Sequence, residues 1–436
     1  MRHTLTPALT KGALAALCLM ITAVPAVAQQ TVPSGGLTEY VAVGRDGTVL
    51  YSRDEGANWT LVTPIDSYIN GVVSDNRGRF VAVGARGKIL LSRDGGASWE
   101  TIASGTEETL QAIASDDDGR FVAVGANGTI VISHDGADTW NVVSSGTTDA
   151  LLSVATDHDG TWVLGGAQGL MARSRDGGVS WTITNSNMAA HVNDVTFVGE
   201  DRWVAVGLLG KTAYSTDGGQ TWTESSAPTR QTLEGVASDG SSVVAVGWKG
   251  TAARSEDGGE TWTVGETGTT QRLMALTLGR DGAFVAAGWR GTVAVSNDGG
   301  TSWAVQENLS RKVLEQVAYN RLPDFAVSNP RLDSSCQVVV DIVNRGPADL
   351  PAEVWDSESV TLRMSSNDEP VDSVSITALD PDRELRTPTG HRQHTFASRL
   401  TAADTLAVAV AIDANRVVAE AREANNMTQA ILVCGN

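Results

Sequence analysis

The sequence predicts an all-β protein: a seven-bladed β-propeller followed by a C-terminal immunoglobulin-like β-sandwich. Three observations predict it. Trp59, Trp99, Trp140, Trp181, Trp222, Trp262 and Trp303 recur every 40 or 41 residues, and each closes the pattern S-x-D-x-G-x-x-W. Each unit holds four short β-like runs punctuated by Gly, Asp and Asn, which is what one propeller blade requires. After about Pro323 the repeat stops and apolar strand-like runs take over.

The seven copies carry their acid at Asp54, Asp94, Asp135, Asp176, Asp217, Asp257 and Asp298. The third departs, with Ala137 in place of the box glycine. The physical reading is structural: the Asp accepts from the backbone of its own turn, the Gly permits the turn, and the Trp plugs the gap between sheets. The first unit begins at Tyr40 without an inner strand, and an orphan run, Val313 to Ala318, follows the last unit. The orphan is expected to complete blade one, closing the ring and hiding its open edges.

Composition bounds the remainder. The 436 residues carry a net charge of -19, with 32 basic against 51 acidic side chains, a balance that excludes a nucleic-acid binder. Residues 1–28 read as a signal peptide, with Arg2 and Lys11 before an apolar run and Ala26-Val27-Ala28 as the cleavage site. Its removal would leave a charge of -21 and an exported protein, periplasmic or extracellular. No later run reaches the length of a membrane span. The expected domains are therefore 29–320 for the propeller and 321–436 for the sandwich. Cys336 and Cys434, near an early and the final strand of the second domain, are expected to form a disulfide.

Strand alternation sorts the loops onto two faces. The box face is acidic in its turns, notably Asp116 to Asp118, which read as ordinary turn residues without a calcium-binding set. The opposite face gathers cations on one side. Arg45, Trp248-Lys249 and Trp289-Arg290 lie in its turns, and Arg230, Arg272 and Arg311-Lys312 in the crossings between blades. Arg86, Lys88 and Lys211 are further along the same face, and Glu107, Glu108 and Asp149 make it one-sided. Two Trp beside cations in an acidic protein form the candidate binding site, with stacking area from Trp and anion contacts from Arg.

No catalytic constellation accompanies it. His134, His158 and His191 lack a nucleophile partner, His391 and His394 lack a third metal ligand, and no glycine-rich turn precedes a helix as a phosphate loop would. No cofactor or metal is expected.

The repeated motif is the Asp box of bacterial neuraminidase-type (BNR) repeats. With F-V-A-V-G before it, the pattern resembles the propellers of photosystem II assembly factors and their non-photosynthetic relatives, and more distantly sialidases and sortilin-type receptors. A sialidase resemblance implies an arginine triad, a Tyr nucleophile and an F/Y-R-I-P motif; Arg321-Leu322-Pro323 is a superficial match placed after the last blade. In the second domain, Pro323-Asp324-Phe325, Val343-Asn344-Arg345-Gly346 and the string from Asp413 to Asn426 resemble the cell-adhesion-related domain found in bacteria (CARDB). Together these imply an exported, non-catalytic binding or assembly scaffold with a protein partner. The competing classes are a glycan-binding adhesin on the cell envelope and a glycoside hydrolase of sialidase-like type.

Overall fold

The computed structural model describes residues 40–52, 56, 58–76, 78–279, 282–320, 325–344, 361–366, 369–381, 385, 391–399, 405–412 and 427–433. The expected signal peptide, Asp54, Cys434 and the whole Asp413 to Asn426 string lie outside these residues.

Between Tyr40 and Tyr319 the chain folds into four-stranded antiparallel sheets. Sheet two is representative: Ile69–Ser74, Phe80–Gly84, Ile89–Ser92 and Glu100–Ile102 pair in chain order. Sheets three to seven repeat it, with inner strands Leu110–Ser115, Leu151–Thr156, Val192–Gly199, Leu233–Ser238 and Leu273–Leu278. Sheet one takes its inner strand from the far end of the chain: Leu314–Tyr319 runs antiparallel to Tyr40–Gly44, with Tyr40 opposite Tyr319. Each inner strand packs against the next, and Leu314–Tyr319 against both Leu273–Leu278 and Ile69–Ser74.

Apart from half-buried Arg202 at the start of the one in sheet five, the second strands of these seven sheets are buried along their whole length, because both of their faces meet neighbouring sheets. Their apolar runs, such as Phe80 to Val83, fill the spaces between sheets. The box tryptophans complete these layers. Trp99 joins residues of sheets one and two, Trp222 those of sheets four and five, and Trp262 those of sheets five and six.

The described C-terminal residues form two further sheets. Phe325–Leu332, Gln337–Asn344 and His391–Arg399 make one; Glu369–Ser375, Thr361–Ser366, Thr405–Ile412 and Met427–Val433 make the other. Val338, Val340, Ile342, Leu362, Phe396 and Val410 share one apolar core between them. His394 stacks edge-on against Phe396 at 4.8 Å, and burial lowers its pKa. Cys336 is disulfide-bonded. Among the described residues no helix is long and apolar enough to cross a membrane.

Candidate functional site: a tryptophan and cation face

The boxes show how this fold spends its acids. In sheet four, the Ser174 hydroxyl donates to Asp176 Oδ1 at 2.8 Å and accepts from the Gly178 amide at 3.0 Å. Asp176 also accepts from the Ser180 amide and hydroxyl, and the Trp181 indole donates to the Gly178 carbonyl. The same bonds recur around Asp94, Asp135, Asp217, Asp257 and Asp298. Burial works to raise these carboxyls, but bonds from the following hydroxyl and amide outweigh it and hold Asp94, Asp135, Asp176, Asp217 and Asp257 below the usual range. Asp298, bonded chiefly by Ser302, falls to about 2. Carboxylates held this way are ionised at neutral pH and have no proton to donate. Ala137 keeps the third box intact at φ 73, a left-handed conformation costly for any residue with a Cβ.

On the opposite face, every second-to-third-strand connection is a three-residue 3-10 turn ending in Gly. Its middle residue is left-handed: φ is 54 at Lys249 and 56 at Arg290. Glycine follows because a Cβ on Gly250 would stand 1.9 Å from the Thr269 carbonyl oxygen, in the crossing into sheet seven. The first turn residue is Arg45, Ala85, Ala126, Ala167 and Leu208 in sheets one to five, and Trp248 and Trp289 in sheets six and seven. The two exposed indoles among the described residues thus stand at one repeated position, 44% and 42% exposed.

Their surroundings differ. The Trp248 indole donates to Glu234 Oε1 at 2.5 Å, and Arg272 donates to the same oxygen at 2.6 and 3.0 Å. The Arg272 guanidinium also lies over the Trp248 ring, 4.8 Å from its centroid. Sheet seven carries Met274 and Val313 at the corresponding positions, and Trp289 has neither the acid nor the arginine.

The cations that the sequence groups together divide in two. Arg45 is bound by Glu315 at 2.8 Å, a hydrogen bond that raises its pKa, and lies 5.8 Å from the centroid of the exposed Tyr68 ring. Lys312 is paired with Asp46, Arg272 with Glu234, and Lys211 with Glu224. Arg230, Lys249, Arg290 and Arg311 are exposed and form no ion pair among the described residues. The sequence reading missed Glu234, Glu315 and Asp46 as the neutralising partners. Glu234 and Glu315 each stand second in an inner strand; Glu234 answers Arg272 in the crossing into the next sheet, and Glu315 answers Arg45 in the turn of its own sheet.

The inner strands also enclose a central cavity of about 510 Å³, lined among others by Asp117, His158, Asp194 and Asp239. His158 Nδ1 lies 3.4 Å from Asp117. Asp194, in sheet five, accepts from the amides of Val195 and Val236, both at 2.9 Å, and so ties sheet five to sheet six. Burial outweighs those two bonds and pushes its carboxyl up to about 7. No group of three or more His, Cys, Asp or Glu that could hold a metal occurs among the described residues.

Residues 132–325 match the family model described as photosynthesis system II assembly factor YCF48. No curated protein matches the chain. Similar solved structures include "YCF48 bound to D1 peptide", at 18% identity and a TM-score of 0.48, covering 58% of this chain and 89% of that one. YCF48 from Cyanidioschyzon merolae is 17% identical, with a TM-score of 0.46 over 58% of this chain and 94% of that one. The WD40 repeats of RRP9 give a TM-score of 0.50 at 9% identity, covering 57% of this chain and 82% of that one. The chain thus has an all-β, propeller-like fold, and residues 132–325, which hold Trp248, Trp289 and their neighbouring cations, are similar to the YCF48 assembly factors.

Proposed function

We propose that this protein is a non-catalytic, protein-binding scaffold, and that the face carrying Trp248 and Trp289 is its docking surface. The reading takes the sheets of residues 40–319 as a closed ring of seven blades and the C-terminal sheets as an immunoglobulin-like accessory domain on an exported chain, with Cys336 paired to Cys434. The observation that carries it is the pair of exposed indoles on adjacent sheets, beside Lys249, Arg290, Arg230 and Arg311, which have no ion-pair partner among the described residues. Exposed aromatic rings beside unpaired cations suit an acidic protein surface, where stacking area and charge-assisted hydrogen bonds combine. The match to an assembly-factor family over residues 132–325 supports the same class.

The non-catalytic part rests on the acids. The box carboxylates are consumed by their own turns, and Asp194, with a pKa suited to proton donation, is bonded to two backbone amides in the channel wall. The test is capture from a cell-envelope extract by the full chain and by a Trp248→Ala, Trp289→Ala, Arg290→Ala variant of unchanged melting temperature. Retention of a defined protein by the parent alone supports the reading. Equal retention by both overturns it, and retention of glycans alone would favour the adhesin reading, for which the open Trp289 ring is the argument.

A further inference from the structure

A second site lies away from this face, in the crevice between sheets four and five. Arg173 is the third-strand residue just before the box serine of sheet four. It is 8% exposed, yet its Nε and Nη2 are buried without a hydrogen-bond partner. Thr184 Oγ1, on the neighbouring strand, is likewise buried and unpartnered. Both line a cavity of about 370 Å³, together with Arg175, Asp176, Ser180, Thr182 and Gln220.

The repeat supplies an internal control. In sheet six the corresponding arginine, Arg254, donates to the Gly299 carbonyl at 2.7 Å and to Ser242 at 3.1 Å, and pairs with Glu256. Two residues after Arg173, the position of Glu256 is taken by a second cation, Arg175. The Nη2 atoms of Arg173 and Arg175 lie 3.3 and 3.6 Å from the point where a Cβ on Gly218 would stand, so both guanidinium groups converge on the box turn of sheet five. Two acids are nearby and neither answers them. Asp201 Oδ1 is 3.1 Å from the same point but forms no ion pair with either arginine, and Asp176 is held by Ser174 and Ser180.

A buried guanidinium with free N–H groups is costly unless an acceptor reaches it. Arginine forks, threonine hydroxyls and a glutamine amide are the donors that suit a tetrahedral oxyanion. We propose that this crevice binds a phosphate or sulfate group, with Arg173 and Arg175 as its principal donors and Thr182, Thr184 and Gln220 around them. This goes beyond the docking face, shares no residue with it, and can fail independently of it.

The test is calorimetric titration of the full chain with inorganic phosphate, inorganic sulfate and phenyl phosphate, against chloride at matched ionic strength. The key variant is Arg175→Glu, which restores the sheet-six arrangement on an exposed residue and gives Arg173 an internal partner. Arg173→Met is the second variant. The expected result is saturable binding by the parent, weakened at least tenfold in both variants. Binding of phenyl phosphate alone would mean that the group arrives on a larger ligand; binding of the free ions would mean that a bare anion suffices. No saturable binding by the parent, or undiminished binding by folded Arg175→Glu protein, overturns the proposal.

Discussion

Arg254 in sheet six and Arg173 in sheet four occupy one register position, each just before a box serine and each facing the box turn of the next sheet. Arg254 is satisfied by a carbonyl, a hydroxyl and Glu256; Arg173 has none of these. The difference extends to the neighbouring sheets. Among the described residues, the buried side-chain N and O atoms without a partner belong to Ser153, Trp162, Arg173, Thr184, Trp203 and Asn320, and all but Asn320 are in sheets four and five. Trp162 and Trp203 stand where sheets two, three and seven have Phe80, Phe121 and Phe284, a position without an acceptor because most of its occupants need none. A repeated backbone tolerates such residues because the common box bonds supply the stability. Departures from the repeat are therefore where a specific role is to be sought.

The largest effect tests whether the layers themselves are equivalent. Trp222→Ala, between sheets four and five, and Trp262→Ala, between sheets five and six, are each expected to lose about 3–5 kcal/mol in urea denaturation. A much smaller loss at Trp222 would mean that sheets four and five are loosely packed throughout, and the unpaired groups there would lose their significance.

Next is the channel. Asp194 has a pKa of about 7 when folded and an ordinary carboxyl value when unfolded, so the unfolded state releases its proton first as pH rises. Its contribution to stability is therefore greatest below the unfolded value, declines as pH rises toward 7, and reaches its full penalty above 7. Asp194→Asn is expected to flatten that slope and to gain on the order of 2–4 kcal/mol at pH 8 relative to pH 4. Parallel stability-against-pH curves for parent and variant would contradict this.

The two arginines give the third effect. Arg254→Met should cost about 1–3 kcal/mol, since it strands the Gly299 carbonyl, whereas Arg173→Met should be neutral or stabilising in the absence of anions. Equal losses at both positions would show that Arg173 is satisfied after all. The smallest change is Ala137→Gly, which relieves a left-handed alanine and should raise stability by about 1 kcal/mol in the same assay.

Much of the fold was legible because the Trp spacing and the box glycines are periodic, and periodicity survives without any knowledge of contacts. The two exposed indoles were legible for a related reason: Trp248 and Trp289 replace Arg, Ala or Leu at one turn position. The ion pairs were not. That Arg272 is held by Glu234 while Arg290 is open depends on side chains meeting across two strands and a crossing, which a count of charges per loop does not resolve. The Arg173 crevice was hidden more deeply. In the sequence the residue before each box serine is one strand position among many, although Arg173 with Arg175 and Arg254 with Glu256 differ in charge at the same spacing.

The central claim is that partner binding occurs on the tryptophan face. It is tested most directly by hydrogen-exchange footprinting of the protein with its captured partner. Slowed exchange centred on the turns Trp248–Gly250 and Trp289–Gly291 and on the crossings that hold Arg230, Arg272 and Arg311 is the expected result. Protection confined to the box turns or to the C-terminal sheets, with those turns unchanged, would contradict it.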